Sequence, residues 1–203
     1  MRLHSVVLLL SASLALAAPQ ASQDSSVSAE YTSDSDFQKT ILNVTNLYRQ
    51  QHNASQLTWN ESLADYAKDW SEDCKFEHSG GPSGENLASG YPNVTASVEA
   101  WGNERKDYDF KKGEFSSATG HFTQLVWRNT TTVGCARTEC NGGQKGGNGD
   151  APGWYIVCEY YPAGNVLDQF KDNVLKQEGA ASSTHVNMLA MCIALAIALG
   201  SIM

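Results

Sequence analysis

The chain has 203 residues, with 14 Lys and Arg against 22 Asp and Glu, a net charge of −8 and 41% hydrophobic residues. That acidic balance excludes nucleic acid and anionic membrane surfaces as electrostatic partners. With both ends set aside as processing signals, roughly 160 residues remain, enough for one domain around one core.

Residues 1–17 read as a secretory signal: Arg2 supplies the positive start, Val6 to Leu10 and Leu14 to Leu16 the apolar run, and Ala15-Leu16-Ala17 the cleavage site, with Ala18 the next choice. Removing Arg2 from the 14 basic residues leaves 13 against 22 acidic, a net of −9. Residues 18–35, rich in Ser, Gln, Asp and Ala, are expected to be a disordered leader.

A domain over 36–172 then begins with a helix capped by Ser35 or Asp36, whose apolar positions Phe37, Ile41, Val44 and Tyr48 are spaced 4-3-4. Asn60 caps a second helix reaching Cys74, with Leu63, Tyr66, Ala67, Trp70 and Cys74 on one face. Phe76-Glu77-His78-Ser79 reads as a short strand, followed by a glycine-rich loop from Ser79 to Gly84. A third helix is predicted from Thr95 to Tyr108, with Val98, Trp101, Arg105 and Tyr108 in one stripe and Glu104 beside the aromatic members. An aromatic loop covers Tyr108 to Ser117.

The run Gly120-His121-Phe122-Thr123-Gln124-Leu125-Val126-Trp127 sets an imidazole and an amide among apolar side chains. Burying either group unpartnered costs about 1–3 kcal/mol, so His121 needs a partner. Two β-like runs, Val133 to Thr138 and Trp154 to Tyr160, flank a glycine-rich connection and predict a hairpin. Helices ahead of a late antiparallel hairpin predict an α+β layered fold.

Beyond the domain, residues 173–187 read as a polar stalk and 188–203 as an uncharged apolar tail shorter than the roughly 20 residues of a bilayer span. Small residues at 179–183, a short polar spacer and that tail make a GPI-anchor signal, with attachment at Gly179 or Ala180. A retained tail-anchoring helix is the alternative. Loss of the tail removes Cys192 and leaves Cys74, Cys135, Cys140 and Cys158, an even set that reads as two disulfides with three pairings open. Sequons at Asn43, Asn53, Asn60, Asn93 and Asn129 are expected on the surface, because glycans need solvent.

Four polar residues sit in odd company. His78 follows a strand-like run, His121 opens the apolar segment, Glu85 lies between glycine and apolar residues, and Glu104 lies against Trp101 and Tyr108. Two imidazoles and two carboxylates sharing a cleft could ligate a divalent cation, zinc or magnesium, through His78 and His121. His52 and His185 stand in polar context and are expected to be exposed.

The segments Gly120–Thr130 and Tyr155-Ile156-Val157-Cys158-Glu159-Tyr160-Tyr161-Pro162-Ala163-Gly164-Asn165-Val166 resemble the two signatures of the CAP superfamily: cysteine-rich secretory proteins, antigen 5 and plant pathogenesis-related class 1 proteins. Phe76–Ser79, Gly84-Glu85-Asn86-Leu87-Ala88 and Trp101-Gly102-Asn103-Glu104 match the pattern in the same order. Glu159 departs from it, and its place beside a cysteine predicts that it stays clear of the cleft. The resemblance implies an α-β-α sandwich with a central antiparallel sheet over the CAP domain at 36–172. It implies a cleft tetrad of His78, Glu85, Glu104 and His121, with both histidines able to bind a cation, and the pairings Cys74–Cys140 and Cys135–Cys158.

Fungal members, the "pathogen related in yeast" proteins, are similar in appearance and bind and export sterols, and some bind fatty acids. Their sterol site resembles an aromatic loop of form φxφxxxxφ, which Tyr108, Phe110 and Phe115 fit. Three such rings on a mobile loop could cover a flat apolar ligand, each burying roughly 150–250 Å². The leading expectation is therefore a secreted protein, GPI-linked at the plasma membrane or cell wall, that binds sterols and other small lipids. The alternatives are a metal-dependent hydrolase or protease using the His/Glu cleft, and a wall-attached adhesion or host-interaction protein. Against an enzyme, no activated serine or free cysteine offers a nucleophile, and two histidines fall short of the three protein ligands usual for catalytic zinc.

Overall fold

The computed structural model describes residues 27–140 and 150–177. In chain order it comprises α1 (Ala29–Thr32), α2 (Asp34–Gln51), β1 (Thr58–Trp59), α3 (Glu61–Ser71), β2 (Gly84–Ser89), α4 (Val94–Asn103) with a 3-10 turn at Glu104–Lys106, α5 (Gly120–Leu125), β3 (Thr132–Cys140), β4 (Gly153–Tyr161) and α6 (Phe170–Asn173). Among the described residues no helix is long and apolar enough to cross a membrane. The signal at 1–17, Gly179, His185 and the tail at 188–203 lie outside the described residues.

The sheet order is β1-β3-β4-β2. β3 and β4 form the predicted hairpin, pairing Thr132 with Tyr161 through Cys140 with Gly153. β2 adds antiparallel to β4, and the two-residue β1 adds parallel to β3, so the sheet is mixed where a wholly antiparallel one was expected. Side chains alternate across a strand, and β4 shows the consequence. Ile156, Cys158 and Tyr160 enter a core with Phe37, Trp101 and Phe122 of α2, α4 and α5. Tyr155 and Val157 enter a second core with Ala67 of α3. Helices thus cover both faces, and the α-β-α sandwich is the fold. Gly134 lets α3 approach β3, since a Cβ there would strike the Ala64 nitrogen.

Several boundaries differ from the sequence reading. The leader expected through Ser35 gives way to structure earlier. α1 buries Tyr31, whose ring stacks on Trp154 at 4.8 Å and whose hydroxyl donates to the Tyr91 carbonyl. Ser33, not Ser35 or Asp36, caps α2 by accepting from the Asp36 nitrogen. The third helix stops at Asn103 and tightens into the 3-10 turn. Phe76–Ser79 is not a strand, and the Ser79 nitrogen donates to the Glu85 side chain instead of a sheet neighbour. His52, expected in solvent, is 1% exposed, because the C-terminal segment covers it and its Nδ1 donates to the Leu175 carbonyl at 2.6 Å. Burial lowers its pKa below the usual histidine value.

Both disulfides implied by the resemblance, Cys74–Cys140 and Cys135–Cys158, are present. Of the sequon asparagines, Asn43, Asn53 and Asn129 are exposed, while Asn60 and Asn93 are half-buried N-caps of α3 and α4. Each cap uses Oδ1 as acceptor, leaving the amide nitrogen that carries a glycan free of that bond.

Candidate functional site

The four polar residues resolve into two His–Glu pairs. Glu85, at the start of β2, accepts from His78 Nδ1 at 2.6 Å and from the Ser79 nitrogen on both carboxylate oxygens, at 3.1 and 3.3 Å. Burial alone would raise its pKa, but the donors, His78 chief among them, outweigh it and hold the carboxyl below the usual value. The bond to Glu85 in turn raises His78 above the ordinary imidazole value. His78 presents its ring to solvent with a side chain 67% exposed, whereas Glu85 is 6% exposed.

Glu104, in the 3-10 turn, accepts from His121 Nδ1 at 2.6 Å through one oxygen and from the Phe122 nitrogen at 3.0 Å through the other. The carboxylate thereby satisfies both the imidazole and the start of α5. The Trp101 ring lies 6.2 Å from that of His121, and its Nε1 donates to the Leu87 carbonyl on β2. Asn86 reaches from β2 to the His121 carbonyl. The amide of Gln124 is equally satisfied, accepting from the Gly164 nitrogen and donating to Thr130 Oγ1.

A cleft of about 420 Å³ opens here, lined by His78, Ser83, Glu85, Phe115, Gln124 and Leu167 among others. The His78–Glu85 pair lines this cleft, while the His121–Glu104 pair does not line it and is partly open to solvent, its side chains 33% and 21% exposed. The two histidines are oriented as metal-bound imidazoles are, with Nδ1 held by a carboxylate and Nε2 left over. Yet no group of three or more His, Cys, Asp or Glu among the described residues is arranged to hold an ion. The donor set fits at most a loosely held zinc or magnesium, with solvent completing its shell.

The aromatic loop departs further from expectation. Tyr108 is buried and meets Phe110 edge-on at 4.8 Å. Phe110 is half-buried, stacked on His52 at 6.0 Å and facing Phe122 at 6.1 Å. Two of the three rings expected to cover a sterol are therefore core anchors, Phe110 against buried His52 and Tyr108 against Phe110 and Phe122. Asp109 caps the turn by accepting from the Lys111 and Lys112 nitrogens. Only Phe115 projects, 51% exposed. A cleft of about 720 Å³ lies beside Tyr108, Phe110, Lys106, Lys111 and Lys176, and one of about 410 Å³ beside Phe115, Leu167 and Phe170. Leu167 is 72% exposed and, with Phe115, borders the His78 cleft as well.

Glu159 was expected not to touch the cleft, and it does not line it, but neither is it isolated. The register of β2 and β4 sets it directly opposite Glu85, fully buried, with Ser83 Oγ donating to its Oε2. Desolvation first, and then the neighbouring Glu85, push its pKa up to about 8. The departure from the signature noted in the sequence was the one available signal.

Comparison with known proteins agrees with this architecture. The family model described as "CAP: Cysteine-rich secretory protein family" matches residues 42–160. The chain is 45% identical over 145 residues to Protein PRY2 of Saccharomyces cerevisiae, covering 69% of this chain and 41% of that protein. It is 41% identical over 160 residues to Repressed by EFG1 protein 1 of Candida albicans, covering 71% of this chain and 55% of that one. The chain thus spans about half the length of these relatives. In fold alone it is similar to venom allergen-like protein 4 of Schistosoma mansoni, at 23% identity and a TM-score of 0.55, over 71% of this chain and 97% of that one. Signatures, disulfides, sandwich and family match coincide: this chain belongs to the CAP family of cysteine-rich secretory proteins.

Proposed function

We propose that the protein is a secreted, cell-surface lipid-binding protein that takes up and exports sterol, and other small lipids such as fatty acids, at the Tyr108–Phe115 loop. Tyr108 and Phe110 form the fixed base of that loop, and Phe115 is the ring that closes on ligand. The observation that carries the reading is the half-exposed Phe115 beside the exposed Leu167, where the roughly 410 and 420 Å³ clefts meet. Large apolar side chains exposed side by side at a concave site are the usual mark of an apolar ligand. Binding needs no covalent step. Its driving force is apolar burial, less the cost of immobilising the ligand and the ring. A GPI tether at Gly179, to plasma membrane or cell wall, would keep the domain at the surface where lipid is exchanged.

Covering the exposed part of the Phe115 ring removes ~100 Å² from water, worth roughly 2 kcal/mol, or about thirtyfold in affinity. Phe115→Ala is therefore expected to weaken binding of labelled cholesterol about thirtyfold with little change in Tm, since the ring lies outside the core. Unchanged affinity would remove the loop from the site.

A zinc or magnesium ion at His78 and His121 is a separate proposal. Calorimetry with zinc chloride is expected to give weak binding that His78→Ala abolishes. The affinity should fall as pH drops, because a proton held on His78 with the help of Glu85 competes with the metal. Absence of any heat at pH 8 removes the ion from the reading.

A further inference from the structure

The fully buried carboxyl of Glu159 has no role in lipid uptake, and its surroundings are unusual for an acid. β2 places Glu85 directly across from it, so the two side chains share one face of the sheet as cross-strand neighbours. On the other side, β3 offers only Gly134, against which α3 is packed. Ser83 donates to Oε2, while Oε1 receives no hydrogen bond among the described residues. The ionisable groups in its field are Glu85 on β2 and the phenols of Tyr155 and Tyr160 on its own strand, with no ion pair to Glu159 among the described residues. An ionised carboxylate beside another carboxylate, without a cation, is the costliest state for this site. A proton on Oε1 turns the orphan atom into a donor and Glu85 into its acceptor.

We propose that Glu159 is a positioning residue held in its acid form, whose Oε1–H donates to Glu85, so that a Glu159–Glu85–His78 chain sets the imidazole at the mouth of the cleft. Ser83 orients the far oxygen of the same carboxyl. The proton on Glu159 thus adds a further donor to the His78 and Ser79 groups that hold Glu85. This goes beyond lipid uptake and stands or falls separately from it, because no measurement below involves a lipid.

The sign of the pH dependence follows from the raised pKa. The unfolded side chain ionises near 4.5, whereas the folded one keeps its proton to about 8. Stability attributable to Glu159 therefore declines as pH rises between those values and is level above them. Glu159→Gln supplies an amide that donates to Glu85 and accepts from Ser83 without ionising. Its Tm should exceed that of the parent by a margin that grows from pH 5 to pH 8. In the parent protein the Glu159 carboxyl carbon, followed by NMR, should titrate near pH 8. The His78 ring nitrogens should keep their parental shifts in Glu159→Gln and move in Glu159→Ala, which removes the donor.

A Glu159 carboxyl already ionised at pH 6 overturns the proposal. So does a His78 signal that Glu159→Ala leaves unmoved. Should either variant fail to fold, the parental carboxyl titration alone decides the matter.

Discussion

Arg49→Ala is expected to lower the unfolding free energy by about 3–5 kcal/mol, read as a fall in the urea midpoint at unchanged slope. Arg49 is fully buried in α2 and has no carboxylate partner among the described residues. Its guanidinium is instead spread over backbone carbonyls. Nε donates to Ser55 at 2.7 Å, Nη1 to Leu125 at 3.1 Å and Trp127 at 2.8 Å, and Nη2 to Thr130 at 2.8 Å. Desolvation lowers its pKa to about 10, which still leaves it charged at neutral pH. These carbonyls come from the turn after α2 and from the end of α5 with the turn that follows it. One side chain thus ties the first long helix to the segment carrying His121 and Gln124. Removing it leaves a cavity and several buried acceptors without donors, at about 1–3 kcal/mol for each group left unsatisfied, moderated by relaxation and water entry. Arg49→Lys should recover little, because a single ammonium cannot reach carbonyls spread around a planar fork. A loss below about 1 kcal/mol for Arg49→Ala would mean that the carbonyls find other donors, and the tie would not be the cause of the geometry at α5.

The second large effect is expected at Cys74–Cys140. The bridge joins the turn after α3 to the end of β3, across a sequence separation of 66. In the chain-entropy account a loop of that size is worth about 4 kcal/mol, against about 3 kcal/mol for Cys135–Cys158 with its separation of 23. The double replacement Cys74→Ser with Cys140→Ser should therefore lower Tm more than Cys135→Ser with Cys158→Ser. Around the first bridge the Ala151 nitrogen donates to the Cys74 carbonyl and Lys75 pairs with Asp150, but no strand pairing joins the two cysteines themselves. Cys135 and Cys158, by contrast, are already neighbours in the β3–β4 ladder. Thermal melts showing the reverse order would indicate that β3 and β4 depend on their bridge more than on their ladder and the cores on either face.

Both effects bear on the candidate site. Arg49 braces the helix that presents His121, and Cys74 anchors the segment that leads into His78. A domain with these two ties intact can leave Phe115 and Leu167 51% and 72% exposed at the rim of its core, where the Phe115 ring lies tilted against that of Phe170. The same division explains why the lipid-site substitution at Phe115 is predicted to change affinity and not stability.

The amino-acid sequence by itself determined the helix caps at Asn60, the alternation and turn residues of the late hairpin, the layered fold class and the need of His121 for a partner. Each of these rests on residues close in the chain, where spacing and local chemistry are sufficient. It also singled out Glu85 and Glu104 by their odd neighbours, and the matching segments Gly84–Ala88 and Trp101–Glu104 implied them as the carboxylates of the tetrad. Other outcomes were decided only when distant segments met. His52 looks exposed among Gln50, Gln51 and Asn53, yet the Leu175 carbonyl of the C-terminal segment accepts from it and Phe110 stacks on it, with Tyr108 edge-on to Phe110. Glu159 looks isolated beside Cys158 until the register of β2 against β4 sets it opposite Glu85. Burial and strand register are properties of pairs of segments, so no window of sequence around either residue contains them.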